Sequence, residues 1–316
     1  MIRHRLAFVF MAFFGLVSLV QAQETPPETT LQNTDSHPFI GIGNLKYFER
    51  AYPDITFERR YDRQAGDWII SVTVPSVPGD KTSAGTTTEF YWANASFLPA
   101  EELANKDKYW PLLYSYSKEL ADPADYTEEE KARIQEFGSD ESRKNGAGTP
   151  MFLFDAIYDS TTRRSLETHI KRIDFLGKKT NVHDRMLEPL KRVQTAIFEL
   201  AKTDTKVQAF LDNLSSTDAY SWRIIDGTNR KSFHSVGIAL DILPKSQGGK
   251  QIFWSWAADK YPKTWMLIPL SNRWMPPESV INAFEKEGFI WGGKWVIYDN
   301  MHFEYHPELI EYNYSK

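Results

Sequence analysis

The chain has no cysteine among its 316 residues. That absence excludes a disulfide framework and any thiolate metal site, so a metal in this protein must be held by His, Asp or Glu. Positive charge is not in excess either, because 37 Lys+Arg stand against 42 Asp+Glu for a formal net charge of −5. This balance excludes the basic footprint of a nucleic-acid binder, and no nucleic-acid partner is expected. Long apolar runs are also missing, except at the start: in MIRHRLAFVFMAFFGLVSLVQAQ, Arg3 and Arg5 precede an apolar stretch from Leu6 to Val20 and a small-residue step, Val20-Gln21-Ala22. The stretch is shorter than the roughly 20 residues a bilayer span requires. It reads as a secretory signal peptide, residues 1–22, cut after Ala22. Its loss lowers Lys+Arg from 37 to 35 against 42 acids, a net charge of about −7. The expectation is an exported, soluble protein with no membrane span after cleavage.

What remains is long enough for two units. Residues 23–36 are rich in Pro, Thr and acids without apolar periodicity and read as a flexible linker. Residues 37–164 form an accessory region of mixed α/β character and unknown role. In it, ITFERRYDRQAGDWIISVTVP predicts two strands around Ala65-Gly66-Asp67, TTTEFYWANASF a third, and Thr127 with Glu130 a capping box for a helix; SDESRKNGAGTP reads as a polar, flexible loop. Residues 165–316 differ in character. RIDFLGKKTNV reads as a strand, LEPLKRVQTAIFELAK and VQAFLDNL as amphipathic helices, AYSWRII and GIALDIL as short buried strands, and PPESVINAFEKEG as a helix closed by Gly288. Helices and strands that do not alternate strictly predict an α+β fold, with a central antiparallel sheet flanked by helices.

The chemistry concentrates in SFHSVGIALDI, residues 232–242, and in YDNMHFEY further on. On an unbroken strand, His234 and Asp241 point to opposite faces; Gly237 permits the bend that lets both reach one ion. His302 supplies a third ligand. Two imidazoles and a carboxylate, with a fourth position left to water, are the donor set of a catalytic zinc, one per chain, and zinc lowers the pKa of water to about 7. Asp299, three residues before His302, is the expected base that takes and returns the proton, with Glu304 as the alternative. Arg223 is the candidate cation for a polarised carbonyl or a substrate carboxylate, and Trp291 and Trp295 are candidate walls of the cleft. His306 is expected to be exposed, because Pro307 argues against a helix continuing through it. His37, His169 and His183 have no partner pattern and read as surface or locally hydrogen-bonded residues.

Ser232-Phe-His234-Ser-Val-Gly237-Ile-Ala239-Leu-Asp241, followed by Asp299-Asn-Met-His302, resembles the signature of the zinc D-alanyl-D-alanine carboxypeptidases and L-alanyl-D-glutamate endopeptidases, whose fold is shared with the hedgehog signalling domain. YSWR, residues 220–223, is similar to the strand that carries the family's substrate-binding arginine, and GFIWGGKW to the stretch before its last ligand. The resemblance covers roughly residues 165–316. It implies a zinc peptidase domain with His234, Asp241 and His302 as ligands, Asp299 as catalytic acid/base, and Arg223, Ser232, Trp291 and Trp295 near the substrate. The implied substrate is the peptide stems of peptidoglycan, in the periplasm or cell envelope. A non-catalytic wall-binding module and an exported zinc peptidase acting on ordinary L-peptides are the competing readings.

Overall fold

A computed structural model describes residues 39–315; the expected signal peptide and linker, and His37, lie outside them. The chain is α+β, with its helices packed around antiparallel sheets. Among the described residues, α1 (Leu45–Ala51) is followed by β1 (Thr56–Asp62), β2 (Asp67–Pro75) and β3 (Gly85–Tyr91), the three strands forming one antiparallel meander. The β1–β2 turn falls where Ala65-Gly66-Asp67 predicts it, and Gly66 supplies a φ of 69°. Next come α2 (Glu128–Phe137), α3 (Asp140–Asn145), α4 (Phe152–Ile157) and α5 (Arg163–His169). The capping box of α2 is formed: Glu130 N–H donates to Thr127 Oγ1 at 3.2 Å, and Thr127 N–H to Glu130 Oε2 at 2.8 Å. The segment read as a flexible loop is tied down instead. Part of it is α3, and Gly148 exchanges backbone hydrogen bonds with Lys108 (2.9 Å) and Trp110 (3.0 Å).

The second half opens with a hairpin, β4 (Ile170–Phe175) and β5 (Lys178–His183), where the sequence suggests a single strand. Leu176 and Gly177 both take positive φ, 50° and 77°, which makes the two-residue turn compatible with strand twist. Helices α6 (Leu187–Ala201) and α7 (Thr205–Asp212) follow. In α6, Leu190, Val193 and Ile197 are fully buried, as their spacing predicts, each stabilising by about 1.5–3 kcal/mol. The remaining elements are β6 (Leu214–Asp218), β7 (Ala239–Pro244), α8 (Trp254–Lys260), α9 (Glu278–Lys286), β8 (Phe289–Trp291), β9 (His302–Tyr305) and α10 (Pro307–Tyr314). The four strands form an antiparallel sheet in the order β6-β7-β9-β8.

AYSWRII does not join this sheet. Residues 221–227 are exposed, with Trp222 at 37% and Ile224 at 60%, and among the described residues the segment's ladder pairing is limited to the isolated bridge Ile224–Lys231. Arg223 N–H donates instead to Ser235 Oγ at 2.7 Å, a side-chain partner 12 residues on that replaces a strand neighbour. The largest apolar cluster draws on both sides of the expected boundary near residue 164, joining Phe48, Trp92 and Phe97 to Leu240, Phe284 and Phe303.

Candidate metal centre

Sheet register places two of the candidate ligands. Asp241 of β7 and His302 of β9 are direct partners across the antiparallel pair, so their side chains leave the same face side by side. His234 arrives differently, from the single 3-10 turn Phe233–Ser235 just before β7. Ser232 caps that turn, with its Oγ accepting from His234 N–H at 3.2 Å. Gly237 then takes φ +77°, and its N–H donates to His234 O at 3.1 Å. A Cβ on Gly237 would come within 2.8 Å of Ile170 Cδ1 and 3.1 Å of His183 N. Gly237→Ala is therefore expected to destabilise the protein by at least about 2 kcal/mol, from left-handed backbone strain plus this contact, measured by urea unfolding. A loss under about 0.5 kcal/mol contradicts the tight bend.

Three side chains converge. His302 Nδ1 lies 2.8 Å from Asp241 Oδ1, and His234 Nε2 lies 3.3 Å from both Asp241 Oδ2 and His302 Nδ1. Two zinc–nitrogen bonds at a tetrahedral angle place their nitrogens roughly 3.3 Å apart. The outer nitrogens have their own partners. His234 Nδ1 faces Ala219 O at 2.6 Å, and a carbonyl only accepts, so Nδ1 carries a hydrogen, which in the neutral ring leaves the Nε2 lone pair facing inward. His302 Nε2 faces Glu304 Oε1 at 2.9 Å, which in the neutral ring leaves the Nδ1 lone pair facing inward as well. Two lone pairs and a carboxylate at this spacing are electrostatically complementary to a cation. The residues therefore fit the metal that the sequence implies.

Glu304 is more than a lone partner. Its other oxygen meets His306 Nε2 at 3.1 Å, His306 Nδ1 meets Glu308 Oε1 at 2.8 Å, and Tyr52 donates to Glu308 Oε2 at 2.8 Å. The chain runs from a candidate ligand to Tyr52, the residue that closes α1. Burial opposes charge on Glu304, yet the hydrogen bonds from His302 and His306 lower its pKa to about 2. Burial likewise opposes charge on His306, but Glu308 and Glu304 raise it to about 9. His306 is thus buried rather than exposed: Pro307 opens α10 instead of ending a helix, and the turn directs the imidazole inward. If Glu304 orients His302, then Glu304→Gln weakens zinc affinity roughly 10- to 100-fold in competition with a chelating dye. Unchanged affinity in a folded variant contradicts that role.

Asp299 sits on the turn before β9, its N–H donating to Gly292 O at 3.0 Å while its carbonyl accepts from His302 N–H at 3.2 Å. Its Oδ1 is buried with no hydrogen-bond partner among the described residues. Burial pushes the carboxyl up to about 7; His302 pulls it down, and Asp241 and Glu304 push it further up. A carboxyl near neutrality, close to the candidate ligands, has the pKa of an acid/base residue.

Other expected site residues part company here. Trp291 is a core residue at 1% exposure, its Nε1 donating to Asn300 O at 2.9 Å. Three consecutive buried residues in β8 explain this: the strand is covered on both faces. Ser232 is buried and engaged as a cap rather than facing solvent. The Arg223 side chain is exposed on the irregular 221–227 segment, off any sheet strand. Trp295 does stand beside the centre, its ring 5.5 Å from that of His302. A second group, His169, His183 and Asp184, also brings donor atoms within 4.8 Å of one another. There His183 Nδ1 accepts from Arg185 N–H (3.2 Å) and Nε2 faces Tyr158 O (3.0 Å), so both nitrogens are satisfied within the chain, in line with a locally hydrogen-bonded histidine.

No helix among the described residues is long and apolar enough to cross a membrane. Residues 44–114 match the model of a domain of unknown function. No curated protein and no solved structure matches the chain. Residues 226–305 match the model of a family described as D-alanyl-D-alanine carboxypeptidase, and it is over this stretch, which contains His234, Asp241, Asp299 and His302, that the protein is similar to those peptidases.

Proposed function

We propose that the protein is an exported zinc peptidase that hydrolyses peptide bonds in the stem peptides of peptidoglycan. The observation that carries this reading is the convergence of His234 Nε2, Asp241 and His302 Nδ1 at 2.8–3.3 Å, close to a buried carboxyl. The family match over residues 226–305 supports peptidase chemistry, and the charged, apolar and small-residue pattern of residues 1–22 supports export. His234, Asp241 and His302 would hold the zinc. When bound, zinc supplies a Lewis acid and makes hydroxide accessible near neutral pH by lowering the pKa of water to about 7.

The chain's own residues do the rest. Glu304 and the Ala219 carbonyl fix the two imidazoles in the tautomers that direct lone pairs to one point. Asp299 takes a proton at its unpartnered Oδ1 from the attacking water and delivers it to the departing amine. Its pKa of about 7 suits both transfers, because neither the acid nor the base form is scarce near neutrality. Substrate class is tested with matched peptides that contain D- or L-residues at the scissile bond. Cleavage confined to D-containing stem peptides supports the reading, and equal cleavage of ordinary L-peptides overturns it.

A further inference from the structure

A cavity of about 310 Å³, toward the small end of ligand pockets, opens beside the candidate metal centre. Trp295, Glu304 and His306 line one side, and Trp110, Tyr114 and Phe137 from the first half line the other. The 110–117 wall is fastened to the second half. Trp291 N–H donates to Tyr116 Oη at 2.9 Å, Asn313 Nδ2 donates to Tyr114 O at 3.0 Å while its Oδ1 accepts from Tyr116 N–H at 3.0 Å, and Tyr314 donates to Ser117 O at 3.0 Å. These bonds hold an aromatic surface in place along the cavity.

The charges in this cavity are unequal in partnership. Lys294 pairs with Glu285 at 2.7 Å, and Glu304 is held between His302 and His306. Arg230 has no carboxylate within ion-pair distance among the described residues. It is nonetheless fixed, donating to Gly146 O at 2.6 Å and lying so close to Gly148 that a Cβ there would come 3.1 Å from its Nε. Burial, and then the charge of Arg143, work against its ionisation. Arg143 itself donates to a carbonyl, Asp226 O, at 2.7 Å, and lies over the Trp254 ring at 5.1 Å. A held guanidinium without a counter-ion, at the edge of an aromatic cavity, is arranged for a planar anion.

Resting on the peptidase reading above, we infer that this cavity is the substrate subsite for a peptide bearing a free carboxylate, that Arg230 rather than Arg223 holds the carboxylate, and that residues 110–117 form the specificity wall. The first half is then part of the substrate site. The test uses two pairs of probes on the zinc-loaded full chain: an acyl-D-Ala-D-Ala peptide with its C-terminal amide, and a peptide containing L-Ala-γ-D-Glu with its isoglutamine counterpart. The acid-to-amide ratio of kcat/KM within each pair reports the contact. In wild type, one pair is expected to favour the acid roughly 10- to 100-fold, the size of a hydrogen bond to a charged group. Arg230→Gln collapses that ratio toward one, Arg230→Lys restores part of it, and Arg223→Gln leaves it standing. A ratio near one for both wild-type pairs, or a ratio unchanged in Arg230→Gln, overturns the inference, as does failure of both pairs while whole peptidoglycan is cut. If peptidoglycan is not cut either, the peptidase reading falls with it.

Discussion

Asp299→Asn is expected to lower turnover by roughly two to four orders of magnitude, the usual worth of a general acid/base, while making the metal-free protein more stable at neutral pH. Both effects come from one feature, a carboxyl buried with an unpartnered oxygen. Its pKa, raised by burial from 3.8 to about 7, means that the folded protein binds this proton more tightly than the unfolded chain does. Below the ordinary pKa neither state is charged at this position and nothing is lost. As pH rises from about 4 to about 7, the unfolded chain ionises first and stability falls, and above 7 the loss is complete, about 4 kcal/mol at most. Asparagine keeps the shape and removes the charge, so it removes the slope. Urea unfolding of chelator-treated protein between pH 4 and 8 measures it. A variant with the wild-type pH slope contradicts the burial argument; one with wild-type turnover assigns the base to Glu304.

Much of this is legible in the sequence, for reasons specific to the residues. The α6 face and the α2 capping box obey local rules, periodicity and reciprocal hydrogen bonding, that need no tertiary context. The bend at Gly237 was legible because the spacing of His234 and Asp241 makes sense only if the chain turns between them, and φ +77° is that turn. Other features depended on distant partners. The strand expected at AYSWRII is absent because Ser235 takes the Arg223 amide, a contact 12 residues away that no local pattern encodes. His306 faces inward because Glu304 and Glu308 are there to receive it; its position two residues beyond Glu304 and four beyond His302 was the available signal, since alternate strand residues share a face. Arg230 carries no sequence signal, because its significance lies in having no carboxylate partner among the described residues, which only the folded neighbours reveal.

The second large effect concerns the metal. Wild-type protein is expected to carry one zinc per chain and to lose stability on chelation, by about 4 kcal/mol where free zinc stands a thousandfold above its dissociation constant. His234→Ala removes one of three ligands and should abolish both the stoichiometric zinc and the response to chelator. The second histidine group, whose His183 nitrogens are already occupied, should not substitute for it. Zinc retained at one per chain in His234→Ala, by elemental analysis of dialysed protein, would place the metal elsewhere.

The central claim, that these residues form a peptidoglycan peptidase, is tested most directly by incubating purified peptidoglycan with zinc-loaded wild-type and His234→Ala proteins and reading the products by mass spectrometry. The predicted result is a mass loss at one stem-peptide bond with wild type, identifying the bond by its size, and none with His234→Ala. Intact stems after wild-type treatment, or equal release by both proteins, would contradict it.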